Sequence, residues 1–199
     1  MFYQYSGGWR TGDNGLTMQW DLVDIVGLLA NREYIVPSVL PITLDGWIAS
    51  LVSQLGPNFV QSYTVDAAYA DLAVTATAKD DVTGKKCGDI LRWACLATGT
   101  WPRADAATGK LAVEPLWNEG NKITLDNLTD YPVMRANNDL AAILFTLNDG
   151  NKTQYVVSGN TTASGETVSV DDPFIHTEAQ ARTAAKLILA CYGGNRIEL

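Results

Sequence analysis

The sequence predicts an α+β fold, with helices on a mixed or antiparallel sheet followed by a β-rich unit that closes with one helix. Three observations carry this. Helix-period apolar stripes and strand-like runs are interleaved through the first 117 residues. Beyond Trp117 the chain reads almost wholly as short β-branched runs between turn signals. A last Ala-rich amphipathic stretch then follows a capping motif. The expected division is residues 1–117 as an α+β domain and 118–199 as a β-rich domain with a C-terminal helix, incomplete at its end. The polar, turn-rich Trp117-Asn118-Glu119-Gly120-Asn121 marks the boundary.

Taken in order, the first ten residues are aromatic and β-prone, and Thr11-Gly12-Asp13-Asn14-Gly15 is a turn signal. From Thr17 the spacing of Trp20, Val23, Gly27 and Leu28 predicts a helix to about Asn31, with Leu22, Ile25, Val26 and Leu29 widening its apolar stripe. Thr43 is placed to cap a second helix through Leu55, ended by Gly56-Pro57, with Ile48, Leu51, Val52 and Leu55 facing the core. Phe59–Thr64 and Leu72–Ala78 read as strands, and Asp80–Gly84 as a loop. A third helix is expected from about Lys86 to Thr98, stopped by Gly99. Thr100–Asp105 and Lys110–Leu116 then form a hairpin across Ala106-Ala107-Thr108-Gly109. In the second domain, strands are expected at Pro132–Arg135, Leu140–Leu147, Thr153–Ser158 and Glu166–Val170, the last broken by Asp172-Pro173. Thr177-Glu178-Ala179-Gln180 is a capping box, so a fourth helix should run to Tyr192, with a further strand from Asn195 to Leu199.

Composition excludes more than it proposes. The 199 residues carry 47% hydrophobic and 18% charged side chains, ordinary for a folded chain. Fourteen basic against 22 acidic residues give a net charge of −8, which repels phosphate backbones, so sequence-specific nucleic-acid binding is not expected. No apolar run approaches the roughly 18 residues of a membrane-spanning helix, and the N-terminus lacks a signal-peptide pattern, so no membrane partner is expected. Cys87, Cys95 and Cys191 sit in apolar contexts and read as reduced core thiols of a protein made in a reducing cytoplasm. The sequons at Asn127, Asn151 and Asn160 are then chance matches.

No catalytic constellation emerges. The single histidine, His176, precedes a helix cap, where a local contact accounts for it. No serine lies in a nucleophile elbow, and no Gly-rich loop joins a strand to a helix with a suitable lysine. The adjacent pairs Asp80-Asp81 and Asp171-Asp172 should point apart rather than flank a glycosidic bond. Asn148-Asp149-Gly150-Asn151 starts like a calcium loop but lacks the downstream glutamate, and a hairpin turn explains it. No catalytic residue, metal ligand or cofactor is therefore assigned. Of the six tryptophans, Trp20, Trp47 and Trp93 fall in helical patterns and read as core. Trp9, Trp101 and Trp117 border turns or strand ends and are the candidate interface contacts.

The order of segments resembles the phage tail hub family, the ring proteins at a tail tip or baseplate. The resemblance rests on Phe2–Trp9, then Trp20-Asp21-Leu22-Val23-Asp24-Ile25, Thr43–Leu55, Cys87-Gly88-Asp89-Ile90-Leu91-Arg92-Trp93-Ala94-Cys95, and the Asp105–Leu116 hairpin with its Thr-Gly-Lys-Leu. Val168–Ile175 and the helix from Thr177 complete the pattern. The flanking β-rich segments usual in such hubs have no counterpart, so the chain looks like an internal piece of a larger protein. The resemblance implies a non-enzymatic structural protein of a phage or prophage tail, a hub joining tail tube to baseplate or tip. It implies a homotrimer in the intact protein, with tube, tape-measure and tip or baseplate proteins as partners, synthesised in a bacterial cytoplasm and located in the virion tail. The competing readings are a carbohydrate-binding module, using exposed tryptophans, and a tail-associated hydrolase of unrecognised type.

Overall fold

A computed structural model describes residues 3–12, 15–59, 61–116, 140–158 and 166–192. The elements run β1 (Tyr3–Gly12), β2 (Gly15–Val23), α1 (Ile25–Asn31), α2 (Leu44–Ser53), β3 (Tyr63–Val65), α3 (Cys87–Thr98), β4 (Thr100–Ala104), β5 (Leu111–Pro115), β6 (Leu140–Thr146), β7 (Gln154–Ser158), β8 (Glu166–Val170) and α4 (Glu178–Tyr192). The fold is α+β, with mixed sheets and a C-terminal helix after the β-rich region, as the sequence predicts. Two compact units form: Met1–Cys95 with Trp101–Glu114, and Leu96–Thr100 with Pro115–Leu199. The expected boundary at Trp117–Asn121, and the strands expected at Pro132–Arg135 and Asn195–Leu199, lie outside the described residues.

In the first unit, β1 and β2 form an antiparallel hairpin whose register pairs Trp9 with Met18 and Gly7 with Trp20. This corrects the helix expected from Thr17. Leu16, Met18, Trp20 and Leu22 recur every second residue, and pairing with β1 selects that period over the helical one. The helix starts only at Ile25, where the Asp24 carboxylate accepts the Gly27 amide at 2.9 Å. Trp20 is thus a strand residue, not part of a helical core.

Helix α2 is capped by Thr43, whose hydroxyl accepts the Gly46 amide at 3.2 Å. Its buried face is Leu44, Trp47, Ile48, Leu51 and Val52, and Leu55 continues it. The Trp47 indole donates to the Val74 carbonyl at 2.7 Å, so the ring's one polar group is satisfied inside the core. Ile90, Leu91, Ala94 and Cys95 supply the buried face of α3, which Gly99 ends at φ +77°. Trp93, also expected in the core, departs from it. It is half-buried, with the Lys85 ammonium 5.9 Å from its ring centre.

The small sheet of this unit has the order β3-β5-β4, with β3 parallel to β5. The expected Phe59–Thr64 strand contracts to Tyr63–Val65, because the Phe59 amide turns back to the Gly56 carbonyl. The Leu72–Ala78 strand is not formed. One bridge joins Ala73 to Thr43, the Leu44 amide donates to Leu72 and the Val74 amide to Ile42, and no longer ladder develops. The expected Asp80–Gly84 loop opens with a single 3-10 turn at Lys79–Asp81.

The second unit centres on β6, flanked in the order β7-β6-β8, antiparallel to β7 and parallel to β8. Ile143 and Phe145 of β6 are fully buried, as are Ala181 and Ala184 of α4, which packs on β6 and β7. Alanines on the helix let it approach the larger strand side chains. The capping box forms as expected: the Thr177 hydroxyl accepts the Gln180 amide at 3.3 Å, and the Gln180 side-chain Oε1 accepts the Thr177 amide at 3.2 Å.

Candidate functional site

Strand β4 leaves the last turn of α3 and lies at the edge of its sheet. Alternation along it buries Thr100 and turns Trp101 and Arg103 outward. Trp101 is 45% exposed, and the next residue, Pro102, has no amide to offer an added strand. Backbone pairing by an added strand is therefore hindered at this edge. Arg103 binds Glu114 across the hairpin and approaches Asp105 at 4.0 Å. The tight turn is built on Asp105, whose carboxylate accepts the Thr108 hydroxyl and amide, both at 2.7 Å, and the Ala107 amide at 3.1 Å. Those bonds, Thr108's first among them, hold its carboxyl below the ordinary aspartate range. Trp9 stands in β1 opposite Met18. Trp117 lies outside the described residues. The structure thus places one of the three candidate contacts, Trp101, on an exposed edge.

The residues weighed for chemistry are dispersed. The His176 amide donates to the Gln180 side-chain oxygen at 2.9 Å, a local contact of the kind its position suggested, and its Nδ1 lies 2.6 Å from the carbonyl of sequence-remote Asn148. Asn148 ties the β6–β7 turn to the segment before α4: its amide donates to Ile175, its side-chain nitrogen to Pro173, and its side-chain oxygen accepts Lys152. Asp149 accepts the Asn151 amide within the hairpin turn expected at 148–151. Asp171 is exposed while Asp172 is buried and accepts the Phe174 amide at 2.9 Å, so the pair diverges. In the other pair Asp80 is exposed, and Asp81 accepts the Ala78 amide at 3.0 Å. Cys87 and Cys95 are buried, and burial pushes the Cys87 thiol up to about 11. Among the described residues no three His, Cys, Asp or Glu side chains gather as a metal site. Nor is any helix among them long and apolar enough to cross a membrane.

Sequence reasoning passed over one surface entirely. Between α1 and α2, Ile35, Val39 and Ile42 are 69%, 80% and 67% exposed, and Leu72 beside them is 41% exposed. The segment is fastened from beneath. The Gln54 side chain accepts the Ile35 amide at 2.8 Å and donates to the Ile35 carbonyl at 3.0 Å, standing in for a strand partner. The Lys79 ammonium donates to the Ser38 carbonyl at 2.6 Å. Tyr34 anchors one end in the core, its ring 6.0 Å from that of Trp47 and its hydroxyl 3.0 Å from Ser50. The available sequence signal was Ile-Val-Pro-Ser-Val-Leu-Pro-Ile, apolar yet barred from helix by two prolines.

No family model matches the chain, and no curated protein matches it. Among solved structures it is similar to the tail protein from Neisseria meningitidis MC58, with a TM-score of 0.62 at 15% identity. That likeness covers 96% of this chain and 60% of that one. At this identity the likeness is one of fold.

Proposed function

We propose that this chain is a structural part of a phage or prophage tail, and within it a piece of the hub or tip ring that joins tail tube to baseplate or tip. The observation that carries the reading is the likeness in fold, over nearly the whole chain, to a protein described as a tail protein. The segment order of the sequence supports it independently. In this reading the intact protein is a homotrimer that meets tube, tape-measure and tip or baseplate proteins through exposed side chains such as Trp101. It works as scaffold, without catalysis, cofactor or metal, and sits in the virion tail. Rings of this kind need interfaces of well over about 1,000 Å² per contact. Because the chain spans 60% of the length of the tail protein it resembles, segments beyond it would share in those contacts.

The test is to purify tail particles from induced lysogens that carry the gene and to locate the protein in them. Quantitative mass spectrometry should find three copies per tail, and labelling of an epitope-tagged copy should mark the tip in electron micrographs. Absence from purified tails, or labelling along the whole tube, would overturn the reading.

A further inference from the structure

We infer that the Ile35–Ile42 segment is a two-fold docking surface for a second copy of this chain, a contact distinct from any ring interface. Three features of the segment lead there. It is rigid before binding: Gln54 and Lys79 hold its backbone, and Pro37 and Pro41 narrow its alternatives. The two prolines also remove backbone donors, so the surface works through side chains rather than by adding a strand. Its exposed apolar residues are spaced almost evenly about Val39, with Ile35 four positions before and Ile42 three after. A two-fold axis through Val39 sets Val39 against itself and Ile35 against Ile42 of the second copy, the self-complementarity that an isologous contact requires.

The charges agree with that direction. At the Ile35 end the chain is bridged to the start of α3, which collects Arg32, Lys85 and Lys86 with two acids, Glu33 and Asp89, the latter 3.9 Å from Arg92. At the Ile42 end the pairing with Leu72 and Ala70 brings in Asp71 and Asp45. An antiparallel pair of copies therefore faces a basic end with an acidic end twice over. The four exposed apolar side chains offer roughly 500 Å² per copy, so two copies cover about 1,000 Å², the lower bound for a specific interface. The association is weak and concentration-dependent.

Sedimentation velocity of the full chain from micromolar to several hundred micromolar should show a monomer–dimer equilibrium that weakens with added salt. Val39→Glu sets like charges against each other on the axis and should raise the dissociation constant at least about tenfold. Lys86→Glu and Asp71→Lys should each weaken the dimer, and the double variant, which restores opposite ends, should recover it to within about threefold of wild type. Under oxidation Val39→Cys should cross-link to itself into a covalent dimer, which a head-to-tail ring contact does not allow. Circular dichroism should show the wild-type fold in each variant, since all three sites are exposed. A chain that stays monomeric, a Val39→Glu variant that dimerises like wild type, or a Val39→Cys variant without cross-linked dimer overturns the inference. A trimer without Val39→Cys dimer overturns it too while leaving the ring reading standing, and a dimer with no copy found in tails does the reverse.

Discussion

Replacing Gly88 by alanine should destabilise the first unit, although the change normally favours a helix. Gly88 is the second residue of α3, and a Cβ added there would lie 2.6 Å from the Ala30 Cα and 3.1 Å from the Ala30 amide nitrogen. Real Cβ atoms do not approach backbone so closely, and no side chain can swing aside to make room. Either α1 or α3 must move. Overpacking of this kind costs about 1–3 kcal/mol. The gain in helix propensity is at most about 1 kcal/mol and is smaller in a first turn. The net expectation is a loss of about 1–2 kcal/mol, or a fall of about 3–6 °C in the melting temperature for a protein of this size. The displacement would reach the exposed segment, because the Cys87 amide donates to the Arg32 carbonyl at 2.8 Å and Glu33 bridges to Lys86. Differential scanning calorimetry, with urea titration as a second measure, provides the assay. A Gly88→Ala protein as stable as wild type, or more so, would refute the reasoning.

Other expectations follow from single contacts. Gln54→Ala should speed hydrogen exchange at the Ile35 amide by at least about tenfold while leaving global stability within about 1 kcal/mol, as read by NMR exchange and urea titration. Thr177→Ala should cost about 1 kcal/mol by removing the hydroxyl that caps α4, measured by thermal melting of the second unit. The Asp105 carboxyl, depressed chiefly by Thr108, should titrate in NMR below an unfolded aspartate, and Thr108→Val should raise it. Because its folded value is the lower one, this turn's contribution is present above about pH 4 and is lost as pH falls through the folded value. Cys87, raised to about 11 mainly by burial against the opposing pull of Arg32, should resist a thiol reagent at neutral pH until urea unfolds the first unit.

Local chemistry explains which parts of this fold the sequence revealed. Thr43, Gly99, Thr177 with Gln180, and the Asp105–Gly109 turn act within a few residues of themselves, so their effect shows in the letters. The β2 strand was misread because Trp20, Val23, Gly27 and Leu28 fit a helical period, and only the register with β1 decides for alternation. Leu72–Ala78 has strand-forming residues, but a strand needs a partner of matching length, and Thr43 supplies one bridge. Of the candidate contacts, Trp101 is exposed, because an aromatic beside a proline at a strand start has little chance of full burial. The Ile35–Ile42 surface was missed for the opposite reason. Apolar letters suggest interior, and the side chains that hold this segment outward come from positions 54 and 79, remote in sequence.

Each unit fixes its irregular connection with one carboxamide side chain. In the first, Gln54 from just beyond α2 makes both backbone hydrogen bonds of Ile35. In the second, Asn148 from the end of β6 binds Pro173, while its backbone reaches Ile175 and His176. A carboxamide offers a donor and an acceptor together without charge, so it can satisfy peptide groups that no strand reaches and incurs no ionic desolvation cost. A connection tied in this way has little freedom left to lose when a neighbour docks on it. An enzyme lid or ligand loop draws on the opposite property, low local stability. In the first unit these hydrogen bonds hold a segment whose Ile35, Val39 and Ile42 side chains stay exposed.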